Sequence, residues 1–202
     1  MTLALTLHRP WARYVATGQK RIENRPWAPP AKMLGETIAI HAGKKWDPDA
    51  ANFIGEVLGT KPSLWPAADS LRLYPEGIIG TAKIVTWFAL SKGEDPRAAI
   101  GRRLIGRELE SRMFGNDLSP APDWAVLTEL DRQFSFGSCC WVLREARMLA
   151  NPIPCRGFQK LWNIPAKEQA LLEAALVEHD KRCCERDLDG DGNCDRHPGL
   201  LR

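Results

Sequence analysis

The chain has 202 residues, of which 44% are hydrophobic and 26% charged, a balance that excludes a disordered polymer, a coiled coil and a collagen-like repeat. No stretch approaches the roughly 18 apolar residues of a membrane span, so no bilayer crossing is expected. Net charge is only +3, but it is unevenly placed: residues 168–202 carry nine acids against five Lys and Arg, leaving +7 on the remainder. A basic body with an acidic tail suits a binder of polyanions, and equally a solvated surface.

In chain order, Leu3, Leu5 and Leu7 alternate with Ala4 and Thr6 as a half-buried strand does. Pro10 can open a helix over Trp11–Thr17, which Gly18 would stop. Lys20–Arg25 is a tight basic segment before a loop holding Pro26, Pro29 and Pro30. Thr37–His41 reads as a second strand, ending in the polar cluster His41-Ala42-Gly43-Lys44-Lys45. Asp47-Pro48 starts a helix through Leu58, and Pro62, Pro66 and Pro75 mark a loop.

Gly77–Leu90 is the strongest strand signal, with Gly80 at a bulge. Residues 91–125 form a polar insertion with a helix near Arg97–Met113. Trp141–Leu149 is a strand, Asn151–Gly157 a turn-rich stretch, Leu161-Trp162 the segment that closes the sheet, and Ala166–Arg182 a helix. Strands joined by loops and a few helices without regular alternation indicate an α+β fold and not a doubly wound sheet. No GxGxxG, Walker-type or GxSxG motif occurs.

Six cysteines do not make a secreted disulfide framework in a chain this long and core-rich. Cys139 and Cys140, at the entry to an apolar strand, are expected as buried thiols. Met1–Leu7 has no basic segment ahead of an apolar run, so a cytoplasmic location is the default expectation.

The most informative residues lie in the first 45. Lys20 and Arg25 are placed to reach phosphate oxygens, Arg in bidentate fashion. Glu23 between them would stay ionised and accept protons from a base edge or act as a general base. Trp11 and Trp27 flank the segment, and cations interleaved with aromatics make a platform for stacked bases. The same Lys, Glu and Arg would also serve as a plain surface ion network, His8 and His41 as satisfied histidines near strand ends, and most of the eight Trp as core.

Gly18, Lys20, Glu23 and Arg25 spell G-x-K-x-x-E-x-R. With Gly77-Ile78-Ile79-Gly80-Thr81-Ala82, then Trp141-Val142-Leu143, Pro152–Gly157 and Leu161-Trp162, the chain resembles the ASCH domain family of the PUA-like superfamily over about residues 2–165. The resemblance implies a PUA-like β-barrel flanked by short helices over residues 1–165, with a C-terminal helix and acidic tail over 166–202. It also implies a cleft for RNA, single-stranded nucleic acid or a modified nucleoside, lined by Lys20, Glu23, Arg25, Trp11, Trp27, His41, Lys44 and Lys45. No cofactor is required for binding. A ribonuclease or nucleoside amidohydrolase using Lys20, Glu23 and His8 is the alternative, and a protein-interaction module the second. Acetylcytidine amidohydrolases of the superfamily are similar at Gly18 and Lys20 but carry Thr where this chain has Glu23, so that role is not carried over.

The tail holds a separate signal. Asp187, Asp189 and Asp191, with Gly192 and Asp195, match the start of an EF-hand-type calcium loop, but Pro198 stands where the bidentate Glu belongs. The stretch also resembles the excalibur calcium motif, which implies that Cys194 pairs with Cys183 or Cys184. Zinc held by Cys183, Cys184, Cys194 and His197, or a solvated acidic tail, are the other readings.

Overall fold

The computed structural model describes residues 1–59, 75–101 and 127–186, with side chains to residue 178. The elements run β1 (Leu3–Arg9), α1 (Trp11–Ala16), β2 (Ile22–Arg25), β3 (Thr37–Trp46), α2 (Pro48–Val57), β4 (Gly77–Ala89), α3 (Glu129–Gln133), β5 (Cys139–Ile153), β6 (Leu161–Asn163) and α4 (Ala166–Arg186). They form an α+β fold around one six-stranded sheet in the order β2-β5-β4-β3-β1-β6. Among the described residues only the β1–β3 pair is parallel.

Local chemistry explains most of these elements. Gly18 ends α1 at φ +77°, a conformation other residues adopt only with strain. Asp47 caps α2 by accepting from the Ala50 amide at 3.0 Å, with Pro48 in the first turn. β4 and β5 are long apolar strands whose pairing shifts register at Ile78/Gly80, Thr81/Lys83 and Ile84/Thr86. Each such irregularity adds local twist, so three in one ladder bend the sheet.

The bend is severe. Arg25 on β2 and Thr6 on β1 stand four ladder steps apart, which in a flat sheet is about 19 Å. Arg25 Nη2 nevertheless donates to the Thr6 carbonyl at 3.1 Å. The sheet therefore curls until its β2 edge returns over β1, and α1 packs on β1, β3, β4 and β5. A core of Leu5, Leu7, Val15, Ile40, Ile84, Trp141 and Leu143 fills the curl. β2 and β6 remain edges, and no ladder joins the ends among the described residues. The sheet is thus open: side chains bridge the gap where a closed barrel would have backbone pairing.

Several boundaries differ from the sequence expectation. β3 runs through the polar cluster to Trp46 because Arg9 pairs with Trp46 after a bulge that puts the extra residues on β3. β5 continues to Ile153, where it pairs with Ile78. Lys20–Arg25 contains a strand, β2, held on β5 by the Glu23–Trp141 pair. Leu161-Trp162 forms the β6 edge on β1 and does not close the sheet. α3 is too short to show a helical period and is fixed by a Thr128/Asp131 capping box. Residues 96–101 are helical, and the rest of the expected 97–113 helix lies outside the described residues. α4 packs Leu172 against Ala4, Ala39 and Ile78, so its first turns share the domain's core across the expected boundary at 165. No helix among the described residues is long and apolar enough to cross a membrane.

Gly80 is where the sheet meets α1: a Cβ there would lie 2.6 Å from the Arg147 carbonyl oxygen and 2.8 Å from Ala16 Cβ. Both neighbours are held by regular structure and cannot swing away. Gly80→Ala should destabilise the fold by about 1–3 kcal/mol, the usual cost of overpacking, read as a lower urea midpoint at unchanged slope.

Candidate nucleic-acid interface

The Gly18 turn returns the chain so that the Lys20 amide bonds the Tyr14 carbonyl at 2.8 Å, and β2 begins two residues later. Ile22 packs into the aromatic cluster beside Phe134, while Lys20, Glu23 and Arg25 join in one chain of charge. Lys20 Nζ donates to Glu23 Oε2 at 2.9 Å and to the Ile22 carbonyl. Arg25 Nε lies 2.9 Å from Glu23 Oε1, a charge contact whose angle is too poor for a hydrogen bond. Lys20 and Glu23 are only 2% and 6% exposed. Removing two such charges from water is costly, and only their mutual attraction and added hydrogen bonds offset it. Lys20 also sits 5.3 Å from the Trp11 ring centroid.

Sequence reasoning placed Lys20 on a phosphate. The fold instead buries it as a brace behind Glu23, and Arg25 spends one guanidinium nitrogen on β1. What these residues build is the wall of a cavity of about 160 Å³ shared with Thr6, His8, Trp11, Asn24 and Phe136.

Asn24 and Phe136 carried no motif in the sequence. Asn24 Oδ1 accepts the Phe136 and Gly137 amides at 3.1 and 3.0 Å, and Nδ2 donates to the Phe134 carbonyl at 2.8 Å. Gly137 is required there, since a Cβ would come 2.7 Å from Asn24 Cβ. This staple holds Phe136 at the cavity mouth, 56% exposed and 5.9 Å from the Trp11 ring. The contacts span more than a hundred residues, so no local pattern announces them.

A second, wider cavity of about 680 Å³ opens beside the first and shares Thr6 and His8 with it. Its wall carries His41, Lys44, Lys45, Glu76, Cys155 and Arg156, with backbone at Gly43 and Gly157. His41 is 4% exposed, its Nε2 is 3.1 Å from the Cys155 carbonyl, and its Nδ1 has no hydrogen-bond partner among the described residues. Burial lowers its pKa below 6.5, so the ring is neutral near pH 7 and Nε2 donates. His8 is exposed at the junction; partial desolvation, then Lys45 and Arg25, lower its pKa against the pull of Asp47 and Glu23.

Trp27 is not brought to either cavity. It stacks edge-on against Trp141 at 4.7 Å, and its carbonyl accepts the Trp141 indole N–H at 2.9 Å. Cys139 and Cys140 are buried as expected, and burial pushes the Cys140 thiol up to about 11, far from a nucleophile's range. Asp187, Asp189, Asp191, Asp195, Cys194 and His197 lie outside the described residues, as do the side chains of Cys183 and Cys184. Among the described residues no three His, Cys, Asp or Glu gather as a metal site.

A curled α+β sheet with a charged brace and two joined cavities across its gap is the class of domain these features define. Residues 5–94, a little under half of the chain, match the family model of the ASCH domain. The match takes in the G-x-K-x-x-E-x-R segment and the β4 glycines, while the 141–162 block lies beyond it. Among solved structures, the ASCH protein of Zymomonas mobilis is similar at 18% identity and a TM-score of 0.40, over 86% of this chain and 94% of that one. Two single-residue variants of it are similar at 16% identity and TM-scores of 0.39 and 0.40, over 86% of this chain and 94% and 96% of theirs. Likeness at that level carries nothing about this chain's chemistry. No curated protein matches the chain.

Two tests follow from the geometry. Lys20→Met should cost about 3–5 kcal/mol by leaving Glu23 buried with poorer compensation. Lys20→Met combined with Glu23→Leu should cost less than the two single changes summed, with a coupling of about 0.5–3 kcal/mol in a urea double-mutant cycle. For His41 the folded pKa lies below 6.5, so between the two values the unfolded chain binds more protons. Stability is then full above about pH 6.5 and falls as pH drops through that window. Urea midpoints between about pH 7.5 and 5.5 should fall in the wild type and fall less in His41→Gln.

Proposed function

We propose that this protein binds single-stranded RNA, or another single-stranded nucleic acid, with one base in the small cavity and the backbone over the wider one. The observation that carries this reading is the junction itself. An aromatic-walled cavity and a cation-lined one share Thr6 and His8, so a base and its phosphate can occupy both at once. The ASCH family is one thought to bind RNA. A base in a duplex is stacked and paired, so insertion of one base favours single strands, loops or ends. At about 160 Å³ the small cavity is below the range of drug-sized sites and suits a single planar ring.

Within this reading the residues have distinct roles. Trp11 and Phe136 offer aromatic surface, and Glu23 presents a carboxylate edge to base N–H groups, held in place by Lys20. Lys44 and Lys45 are exposed and face phosphate. The reading needs no cofactor. A hydrolytic second reading, on RNA or an acylated nucleoside, is favoured only by the Lys20–Glu23 pair lying in the cavity wall, where a carboxylate could take a proton if Lys20 gave it up. Residues 166–202, whose helix α4 shares the core through Leu172, are proposed to take no part in binding.

The test is fluorescence anisotropy of a short labelled RNA against salt, with the same samples run on a denaturing gel. Affinity should fall with salt, and Lys44→Ala and Lys45→Ala should each reduce the log–log slope by about 0.7, the value per phosphate of a single strand. Phe136→Ala should weaken binding by about 1–3 kcal/mol, the worth of a base–aromatic stack, with a small fall in the urea midpoint from its lost contacts with Trp11 and Phe53. Salt-independent affinity, or none, would defeat the reading; shortened RNA that is lost in Glu23→Gln would replace it with the hydrolytic one.

A further inference from the structure

The wider cavity differs from a groove that tracks a continuous strand. Lys44, Lys45 and Arg156 line one concavity, and none of the three is ion-paired among the described residues. The other cations around the small cavity are already spent: Lys20 and Arg25 on Glu23, and Arg21 nearby on Asp131. Arg156 is held by its own loop, with its guanidinium 5.5 Å from the Phe158 ring centroid. Two glycines in the cavity lining, Gly157 and Gly43, pack closely on neighbouring strands. A Cβ on Gly157 would lie 2.4 Å from the His41 ring and 2.7 Å from Thr6 Oγ1, and one on Gly43 would lie 3.2 Å from Thr6 Cγ2. The absence of a side chain at Gly157 thus lets the loop that carries Arg156 pack directly on His41 and Thr6.

β1, with His8, flanks β3 on the side of the base cavity, and β4 flanks it on the other. Just before β4 stands Glu76, whose carboxylate lines the same cavity and pairs with Arg9 at 3.3 Å. A strand continuing past the lysines would therefore bring its next phosphate toward the Arg9–Glu76 ion pair, where the cation is already spent. A terminal phosphate would not.

Resting on the reading of the small cavity as a base site, we infer that the wider cavity takes a phosphate monoester, so that the preferred ligand is a terminal phosphorylated nucleotide, free or at an RNA end. A monoester carries about −1.5 to −2 at neutral pH, where an internal diester carries one charge, and three cations lining one cavity favour the more highly charged group. Lys45 and Arg156 would contact the phosphate oxygens, and His8, at the junction, would stand between phosphate and base.

Calorimetric titration of the full chain tests this with nucleosides, their 5′- and 3′-monophosphates, inorganic phosphate, and one short RNA bearing a 5′-phosphate, a 3′-phosphate or hydroxyls at both ends. A monophosphate should bind about tenfold or more tightly than its nucleoside, as expected of charge-assisted contacts, and the matching RNA end should show the same preference. Lys45→Ala and Arg156→Ala, both at exposed positions, should erase the difference between monophosphate and nucleoside. Equal affinity for nucleoside and monophosphate, with salt-sensitive RNA binding retained, would overturn the inference and leave the RNA reading standing. Inorganic phosphate binding as tightly as the nucleotide would overturn the joint site. Failure of every RNA and nucleotide to bind would remove both.

Discussion

A line of contacts from Lys20 through Glu23 and Arg25 to the Thr6 carbonyl is the interaction on which this structure turns. It carries charge across the gap of an open sheet, between strands that flat geometry would hold far apart. Backbone ladders cannot make this connection, because β2 has only four residues and its ladder partner is β5. The sheet is drawn round by its bulges and core, and the brace fixes where the returning edge meets β1. Each charge is satisfied by a neighbour that must itself be in place, so the brace specifies one arrangement more than it adds stability.

That constraint also makes the cavity. Because Arg25 is tied to β1 and Glu23 is pinned between two cations, the space between β1 and β2 has a polar wall that does not collapse. The opposite wall comes from a different part of the chain, the segment after α3. It is stapled to β2 by Asn24 and by the Arg21–Asp131 ion pair. Phe136 is exposed because its backbone is fixed, not because the local sequence is polar. Its ring packs on Trp11 and Phe53 while much of it stays open to solvent.

His41 and Gly157 show how closely the second cavity depends on the same strands. His41 is buried on β3 with one nitrogen on Cys155 and the other facing the space where Gly157 can have no side chain. The β5–β6 connection is thereby seated against β3, which carries Arg156 to the same concavity as Lys44 and Lys45. Lys44, Lys45 and Arg156 are in no ion pair among the described residues, while the cations that share the small cavity's wall have been spent on holding it.

The sequence by itself determined the α+β class, the strands β1, β3 and β4, the capped start of α2, the Gly18 stop and the ASCH segment, because each rests on period, capping or spacing within about ten residues. Its reading of Lys20, Glu23 and Arg25 as one cluster was right in membership, since three charges so close must interact. Their roles were another matter. Whether Lys20 faces solvent or supports Glu23 depends on Tyr14, Trp11 and Ile22 closing over it, and burial of that kind has no local signature. Trp27 and Trp11 look alike in sequence, and only the fold sends one against Trp141 and the other to the cavity. Asn24, Phe136, Glu76 and Arg156 joined the site solely because the curl of the sheet brings distant segments together, and the energy of that closure is spread over core contacts no short window contains.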